Sequence, residues 1–177
     1  CFGFPNLGYD RARNNRYVAA RCDRRRFFPL RLFDPREDTP RAARDELERG
    51  GFYGIKPYPR YVRTAQPEEV EIRQMLPDGI MRVVDEMGLL VLLHLPRRGR
   101  LADPVNQRQL IELCRTYPRA KVVLAHVGRA YFLKNVLGHL EELKRLPNLY
   151  YDLAMLNHWE VLEHLFATVP HDRVLYG

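Results

Sequence analysis

The stretches Val91-Leu92-Leu93-His94 and Val122-Val123-Leu124-Ala125-His126 decide the fold that this sequence predicts. Each is a short apolar run typical of a buried parallel strand, and each is followed by a polar turn and a helix-like segment. Both histidines therefore fall at the carboxyl ends of strands, where barrels of parallel strands carry their chemistry. An imidazole there can bind a transition metal or transfer a proton near neutral pH. Because the pattern occurs in two successive units, a functional interpretation is favoured over two structural histidines.

The same alternation of strand and helix runs through the chain. The sequence predicts seven strands, at residues 1–4, 27–33, 53–56, 89–94, 121–126, 149–153 and 173–176. It predicts six helices between them, at residues 11–22, 41–48, 75–87, 106–117, 132–144 and 159–169. This alternation indicates an α/β fold with a parallel sheet, either a (β/α)8 barrel or a doubly wound open sheet.

Two observations favour the barrel. No GxGxxG or GxxxxGK[ST] motif follows the first strand, which weakens the nucleotide-binding open sheet. Polar groups stand at the ends of several different strands, as in TIM barrels. A complete barrel has eight strands and about 250 residues, whereas this chain has 177 residues and seven predicted strands. We therefore expect one barrel domain over residues 1–177 that is incomplete at both ends.

Composition and charge exclude several function classes. The net charge of +7 includes the segment Arg97-Arg98-Gly99-Arg100, yet no nucleic-acid-binding motif accompanies it and acidic residues are interspersed along the chain. Arg97 directly follows a predicted strand and could bind a substrate carboxylate. No apolar run approaches the roughly 20 residues of a membrane span, and no signal-peptide pattern is present. These features predict a cytoplasmic protein with a small-molecule substrate, no nucleic-acid or membrane partner, and free cysteine thiols.

Several motifs together resemble one known family. They are Gly-Phe-Tyr-Gly-Ile-Lys ending at Lys56, Leu-Leu-His ending at His94, the segment from Lys121 to Arg129, Leu-Tyr-Tyr-Asp ending at Asp152, and the segment from Asp172 to Gly177. In order and spacing they resemble the amidohydrolase-related (amidohydrolase 2) family of metal-dependent hydrolases. The resemblance implies a distorted (β/α)8 barrel with one or two divalent metal ions at the carboxyl ends of its strands.

The resemblance also implies roles for the two strand-end histidines. In this family an HxH pair on the first strand, a histidine on the fifth and an aspartate after the eighth hold the metal. His94 matches the fifth-strand ligand, and His126 matches the sixth-strand histidine, which acts as acid or base or as a further metal ligand. The HxH pair and the terminal aspartate are not among these 177 residues, so we expect the isolated chain to be inactive and to hold metal weakly. Zinc is the expected metal, with manganese as the alternative.

Four further residues are candidates for the site. Lys56 could be carboxylated and bridge two metals as in some relatives, could be a charge partner, or could face the surface. Asp152 could orient a ligand histidine or cap the next helix. Arg97 and Arg129 are candidate substrate contacts, and Arg129 stands where many relatives have a small residue.

These assignments lead to one predicted function and two alternatives. We expect a metal-dependent hydrolase that acts on a small organic acid, amide, ester or lactone through a metal-activated water. The first alternative is a metal-dependent decarboxylase of the same superfamily, and the second is a noncatalytic barrel that binds an anionic ligand. Association into a homo-oligomer is possible in each case. The histidines at positions 139, 158, 164 and 171 are expected to be structural or exposed.

Overall fold

A six-stranded parallel sheet forms the centre of the computed structural model, which describes residues 1–176. Its strands are β1 (Leu30–Phe33), β2 (Gly54–Pro57), β3 (Leu90–Leu93), β4 (Lys121–Leu124), β5 (Leu149–Asp152) and β6 (Val174–Leu175). They pair in the order of the chain, from β1 to β6, without a reversal. A doubly wound sheet reverses its strand order at a switch point, so the sequential order matches the barrel type of α/β fold.

Helices cross over between the strands. They are α1 (Arg11–Arg21), α2 (Pro40–Gly50), α3 (Ile72–Met75), α4 (Asp78–Glu86), α5 (Pro104–Thr116), the single turn α6 (His126–Arg129) and α7 (Trp159–Thr168). Side chains that precede three of the long helices accept hydrogen bonds from the first-turn backbone, as N-caps do: Asp10, Thr39 and Asp103. Pro40 and Pro104 then occupy the first helical position, where no donor is needed.

Two of the predicted helices differ from the structure. The helix predicted over 75–87 begins three residues later, as α4 after Pro77, and Met75 instead ends the separate turn α3. The helix predicted over 132–144 is wrong, because this segment forms two separate 3-10 turns, Leu133–Asn135 and Leu143–Arg145. Gly138 lies between them with φ +77°, a left-handed conformation that a right-handed helix does not contain.

The predicted first strand, residues 1–4, is also wrong, so the described residues contain six strands rather than seven. Cys1 begins to pair with the edge of β1, because its amino group donates to the Phe28 carbonyl and its carbonyl accepts from Leu30 N–H, both at 2.7 Å. Beyond Cys1, the Asn15 side chain bonds to this edge of β1 in place of a neighbouring strand. Its Oδ1 accepts from Leu32 N–H at 2.9 Å, and its Nδ2 donates to the Leu32 carbonyl at 3.1 Å.

Strand register brings the candidate residues to one edge of the sheet. Leu93 of β3 pairs with Leu124 of β4, and both side chains are fully buried. His94 follows β3 directly, and His126 comes two residues after β4. Lys56 lies in β2 and Asp152 ends β5. Since parallel strands place their carboxyl ends at the same edge, this edge collects groups from four consecutive strands.

No helix within residues 1–176 combines the length and the apolar character that crossing a membrane requires.

Candidate active site

Four aromatic rings form a row along the carboxyl edge of the sheet. The Tyr58 and His94 ring centroids are 5.6 Å apart, His94 and His126 are also 5.6 Å apart, and His126 and Tyr131 are 6.3 Å apart. We call Tyr58, His94, His126 and Tyr131 the ring row. Its members come from the segments after β2, β3 and β4, so the row spans three βα units.

A cation stands at each end of the ring row. The Lys56 Nζ lies 4.8 Å from the Tyr58 ring centroid, and the Arg100 guanidinium carbon lies 4.9 Å from the Tyr131 ring centroid. Both distances are within the range of cation–π attraction. The ring row therefore has a positively charged group at either end.

His94 is held as a neutral imidazole. Burial, followed by the positive charges of Lys56, Arg129 and His126, lowers the pKa of His94 from 6.5 to about 3. Its Nδ1 is buried and has no hydrogen-bond partner within residues 1–176. Buried polar atoms are rarely left without a partner, and a neutral imidazole with a free lone pair is a good ligand for a transition metal. The environment of His94 thus fits a metal ligand.

His126 is oriented by the segment that follows β5. Its Nδ1 lies 2.7 Å from the Ala154 carbonyl oxygen, which can only accept, so Nδ1 carries the proton and Nε2 is left to accept a proton or bind a metal. Asp152 supports this arrangement, because its Oδ2 accepts from the His126 backbone N–H at 3.3 Å and lies 3.9 Å from Nδ1. Its Oδ1 accepts from Ala154 N–H at 3.2 Å. Asp152 does not cap the next helix, because His158 precedes α7.

The backbone around His126 is left-handed over four consecutive residues. The φ angles are +56° at His126, +47° at Val127, +66° at Gly128 and +63° at Arg129. Left-handed helical backbone costs about 1–2 kcal/mol for each residue that has a Cβ atom. Such strain is typically found at functional sites, where the surrounding structure maintains it. Here the turn directs both His126 and Arg129 from a single segment.

Replacement of Gly128 by alanine is expected to destabilise the fold by about 2–4 kcal/mol, because a positive φ and overpacking act together. A Cβ atom at this position would lie 2.7 Å from Leu95 Cδ1 and 3.0 Å from Leu101 Cδ1. Gly88→Ala is the matched control, since Gly88 has φ +64° but nothing within 4 Å of the added Cβ. Urea unfolding of the two variants should show the larger loss for Gly128→Ala. Equal losses would contradict the close packing under this turn.

Lys56 is buried, with 1% of its surface exposed, so the surface-facing interpretation is wrong. Its ammonium group lies 5.3 Å from the Phe2 ring and 4.8 Å from the Tyr58 ring. Burial lowers the pKa of Lys56 from 10.5 to about 7, and the negative charge of Asp152 opposes this shift. A lysine with so low a pKa is a site candidate because it can exist in either protonation state near neutral pH.

Lys56→Met should stabilise the metal-free protein, and the gain should depend on pH. The lowering of the pKa from 10.5 to about 7 corresponds to up to about 5 kcal/mol. Below pH 7 both the folded and unfolded chains hold the proton, so the full cost of burying the charge is present. From pH 7 to 10.5 the unfolded chain binds more protons, so wild-type stability rises with pH and the advantage of the variant shrinks. Urea unfolding at pH 6, 8 and 10 tests this, with exposed Lys134→Met as the control; a gain that is constant with pH would contradict it.

The two arginines predicted to bind substrate have different surroundings. Arg97 Nε lies 2.9 Å from Asp103, its Nη2 lies 2.6 Å from the Glu69 carboxylate, and its Nη1 donates to the Glu69 carbonyl at 3.1 Å. Arg97 therefore holds the loop after β3, and its role in substrate binding stays a prediction. Arg129 is partly buried, and its Nη1 donates to the Leu95 carbonyl at 3.1 Å.

Comparison with known proteins assigns the family. The model of the amidohydrolase family matches residues 8–177 of the chain. This chain belongs to the amidohydrolase family. The resemblance in its motifs is thus confirmed, although Gly177, the last residue of the final motif, lies outside the residues that the structure describes.

Solved structures support the fold of this chain. It is similar to 4-oxalomesaconate hydratase from Rhodopseudomonas palustris (TM-score 0.68, 18% identity), covering 94% of this chain and 56% of the hydratase. It is similar to 2,6-dihydroxybenzoate decarboxylase from Rhizobium (TM-score 0.58, 16% identity), covering 94% and 65% of the two chains. The 5-carboxyvanillate decarboxylase from Novosphingobium aromaticivorans, complexed with manganese and a nitrobenzoic acid, gives a TM-score of 0.62 at 18% identity, covering 94% and 58%. The chain therefore covers between 56% and 65% of the length of these three structures. A search of curated proteins found no match.

The described residues do not contain a complete set of metal ligands. No group of three or more histidine, cysteine, aspartate or glutamate side chains in residues 1–176 is arranged to hold a metal. His94 and His126 are adjacent and provide two imidazoles. Tyr58, Tyr131 and Arg100 were not identified as site residues from the sequence. Tyr58 and Tyr131 belong to the ring row, and Arg100 stacks at its end. These positions depend on the path of loops, and the only sequence signal for them was nearness to Lys56, His126 and Arg97.

Other candidate features of the chain lie outside the ring row. His158 packs against Phe132, with ring centroids 5.1 Å apart, and the His171 ring contacts the Phe166 carbonyl. A cavity of about 520 Å³ lies between α1 and α2, and its lining contains none of the ring-row residues. The site of chemistry is better indicated by the grouping of titratable side chains than by this open cavity.

Proposed function

We propose that the full protein is a metal-dependent decarboxylase of a small aromatic or unsaturated carboxylic acid. The observation that carries the proposal is the ring row, with Lys56 at one end and Arg100 at the other. Two positive charges favour an anionic substrate, and aromatic rings pack well against a planar acid. Of the hydrolase substrates expected from the sequence, the neutral amide, ester and lactone would make no use of these cations.

His94 is the described residue that would hold a divalent metal. The fit rests on its buried, unpartnered Nδ1. A catalytic zinc usually has three protein ligands, so the full protein must supply at least two more. His126 stands beside His94, and its Nε2, which the bond to Ala154 leaves available, is the proton-transfer group. When bound, the metal supplies Lewis acidity that stabilises negative charge on the substrate. Zinc stays the metal predicted from the sequence, whereas a decarboxylase of similar fold holds manganese.

Side chains of this chain would bind the substrate and supply the proton. Lys56 attracts the carboxylate, and Tyr58 and Tyr131 pack against the planar body of the acid. As the bond between the carboxylate and its carbon breaks, CO2 leaves and the electron pair stays on the carbon. That carbon then takes a proton, and His126 is placed to donate it from Nε2 in its protonated form. The Ala154 carbonyl keeps the ring in position throughout.

The relatives support this choice of reaction. Two of the structures described above are named as decarboxylases of aromatic acids, and the third as a hydratase of an unsaturated acid. All three substrates carry carboxylates. Because the chain spans only part of each relative, the activity is proposed for the full protein.

Metal depletion and CO2 measurement test the proposal. The full protein is stripped of metal, reloaded with Mn²⁺ or Zn²⁺, and supplied with 2,6-dihydroxybenzoate, 5-carboxyvanillate and a panel of esters, lactones and amides. We expect CO2 release from an acid only after metal is restored. Metal-dependent cleavage of an ester, lactone or amide without CO2 release would establish the hydrolase instead. Tight binding of acids without any turnover would support the noncatalytic alternative, and turnover that ignores metal would overturn the proposal.

A further inference from the structure

Two arginines at one end of the ring row have no acidic partner. Neither Arg100 nor Arg129 forms an ion pair with an aspartate or glutamate within residues 1–176, although both side chains are partly buried. Arg100 stacks on Tyr131, and the one side-chain hydrogen bond of Arg129 to the backbone goes to the Leu95 carbonyl. A partly buried guanidinium group without a counter-charge is unfavourable, so an anion at this place would be strongly attracted.

Neighbouring arginines behave differently. Arg97, three residues before Arg100, pairs with both Asp103 and Glu69. Arg98 pairs with Glu68. Arg97 and Arg98 therefore occupy Asp103, Glu68 and Glu69, and Arg100, which stacks on Tyr131, is left without an ion pair among the described residues. The charge of Arg100 also reaches Arg129, since burial first and Arg100 second lower the pKa of Arg129.

Both arginines lie at the Tyr131 end of the ring row. Tyr131 connects Arg100 to His126, and Tyr58 connects Lys56 to His94 at the opposite end of the row. An acid whose reacting carboxylate lies at the two histidines would therefore extend toward either Lys56 or the arginine pair. Bidentate binding of a carboxylate is the geometry to which guanidinium groups are suited.

We propose that Arg100 and Arg129, beside Tyr131, form a second anion subsite that selects dicarboxylic acids. This inference rests on the proposed function, because it names the substrate class of the same site. The reacting carboxylate lies at His94 and His126, and the second carboxylate, carried on a planar scaffold, lies between the two guanidinium groups.

Calorimetric titration with non-reacting acids tests this subsite directly. The full protein is titrated with benzoate, which has one carboxylate, and with isophthalate and terephthalate, which have two. We expect the better of the two diacids to bind at least about tenfold more tightly than benzoate, as a charge-assisted contact typically provides. In Arg129→Met this preference should fall to about onefold while benzoate affinity changes less than about threefold. Arg129→Lys should retain part of the preference, because it keeps the charge but loses the fork.

Arg100→Met and Arg108→Met complete the design. Arg100 makes only a stacking contact with its side chain, so Arg100→Met should fold and should also lose the preference for diacids. Arg108 is exposed on α5, and Arg108→Met should behave as wild type. A wild-type protein that binds benzoate and both diacids equally, or variants that keep the preference, would overturn the subsite. The titration measures binding and the CO2 experiment measures turnover, so the two proposals can fail separately. A diacid preference in a protein that releases no CO2 would refute only the proposed reaction. Release of CO2 by a protein without the diacid preference would refute only the subsite.

Discussion

His94→Ala is expected to weaken metal binding by the full protein on the order of 100-fold or more, and turnover should fall with the metal. The loss of a residue that only supports a ligand typically costs 10- to 100-fold in metal affinity, so loss of a ligand itself should cost at least as much. The reason lies in the buried, unpartnered Nδ1 of a histidine that is neutral at physiological pH. Metal content after dialysis against a buffered metal solution measures the effect.

The control for this variant is His164→Ala, which removes a histidine from α7, away from the carboxyl edge of the sheet. It should retain its metal and its activity. Full metal content in His94→Ala would contradict the assignment of His94 as a ligand.

His126→Ala should lower turnover about 10²- to 10⁴-fold, the usual contribution of a general acid or base, while most of the metal is retained. This contrast with His94→Ala follows from the bond between His126 Nδ1 and Ala154, which leaves Nε2 suited to proton transfer. Metal content and turnover are measured on the same preparation. Equal metal loss in both histidine variants would indicate a binuclear centre in which His126 is also a ligand.

The sequence predicted those parts of the fold that depend on local patterns. Apolar runs such as Val122 to Leu124 have no polar alternation, which identifies buried parallel strands, and β3 and β4 lie where this pattern places them. The predicted starts of α1 and α2, residues 11 and 41, lie within one residue of Arg11 and Pro40, and the caps at these starts, Asp10 and Thr39, act only over three positions. The two histidines could be placed at one edge because strand ends follow from the same local patterns.

The parts that failed depend on contacts between distant segments. Residues 1–4 have strand character, but Asn15 of α1 occupies the hydrogen-bonding groups of Leu32 that a strand there would use. Apolar spacing over 132–144 suggests a helix, yet the backbone turns at Gly138. The order of apolar and polar residues in the sequence does not show which of two possible partners bonds to a given backbone group.

The candidate site was predictable to a similar extent. Four of its residues lie at or just after the carboxyl ends of strands: Lys56, His94, His126 and Asp152. Their convergence therefore follows from the parallel arrangement of the sheet. The ion pair between Arg97 and Glu69 joins residues 28 positions apart, and no local signal distinguishes a paired arginine from the unpaired Arg129. The pairing of charges in a loop depends on the tertiary path of the chain, and so does the stacking of Tyr131 on His126.

Anomalous X-ray scattering from crystals of the Zn²⁺-loaded full protein tests whether His94 helps to hold a catalytic metal at the carboxyl edge of β2 to β5. We expect an anomalous peak at the zinc edge, about 2.0–2.1 Å from a ring nitrogen of His94 and beside His126. A fully occupied zinc site elsewhere in the protein, with the His94 imidazole outside its coordination sphere, would show that His94 is not a metal ligand.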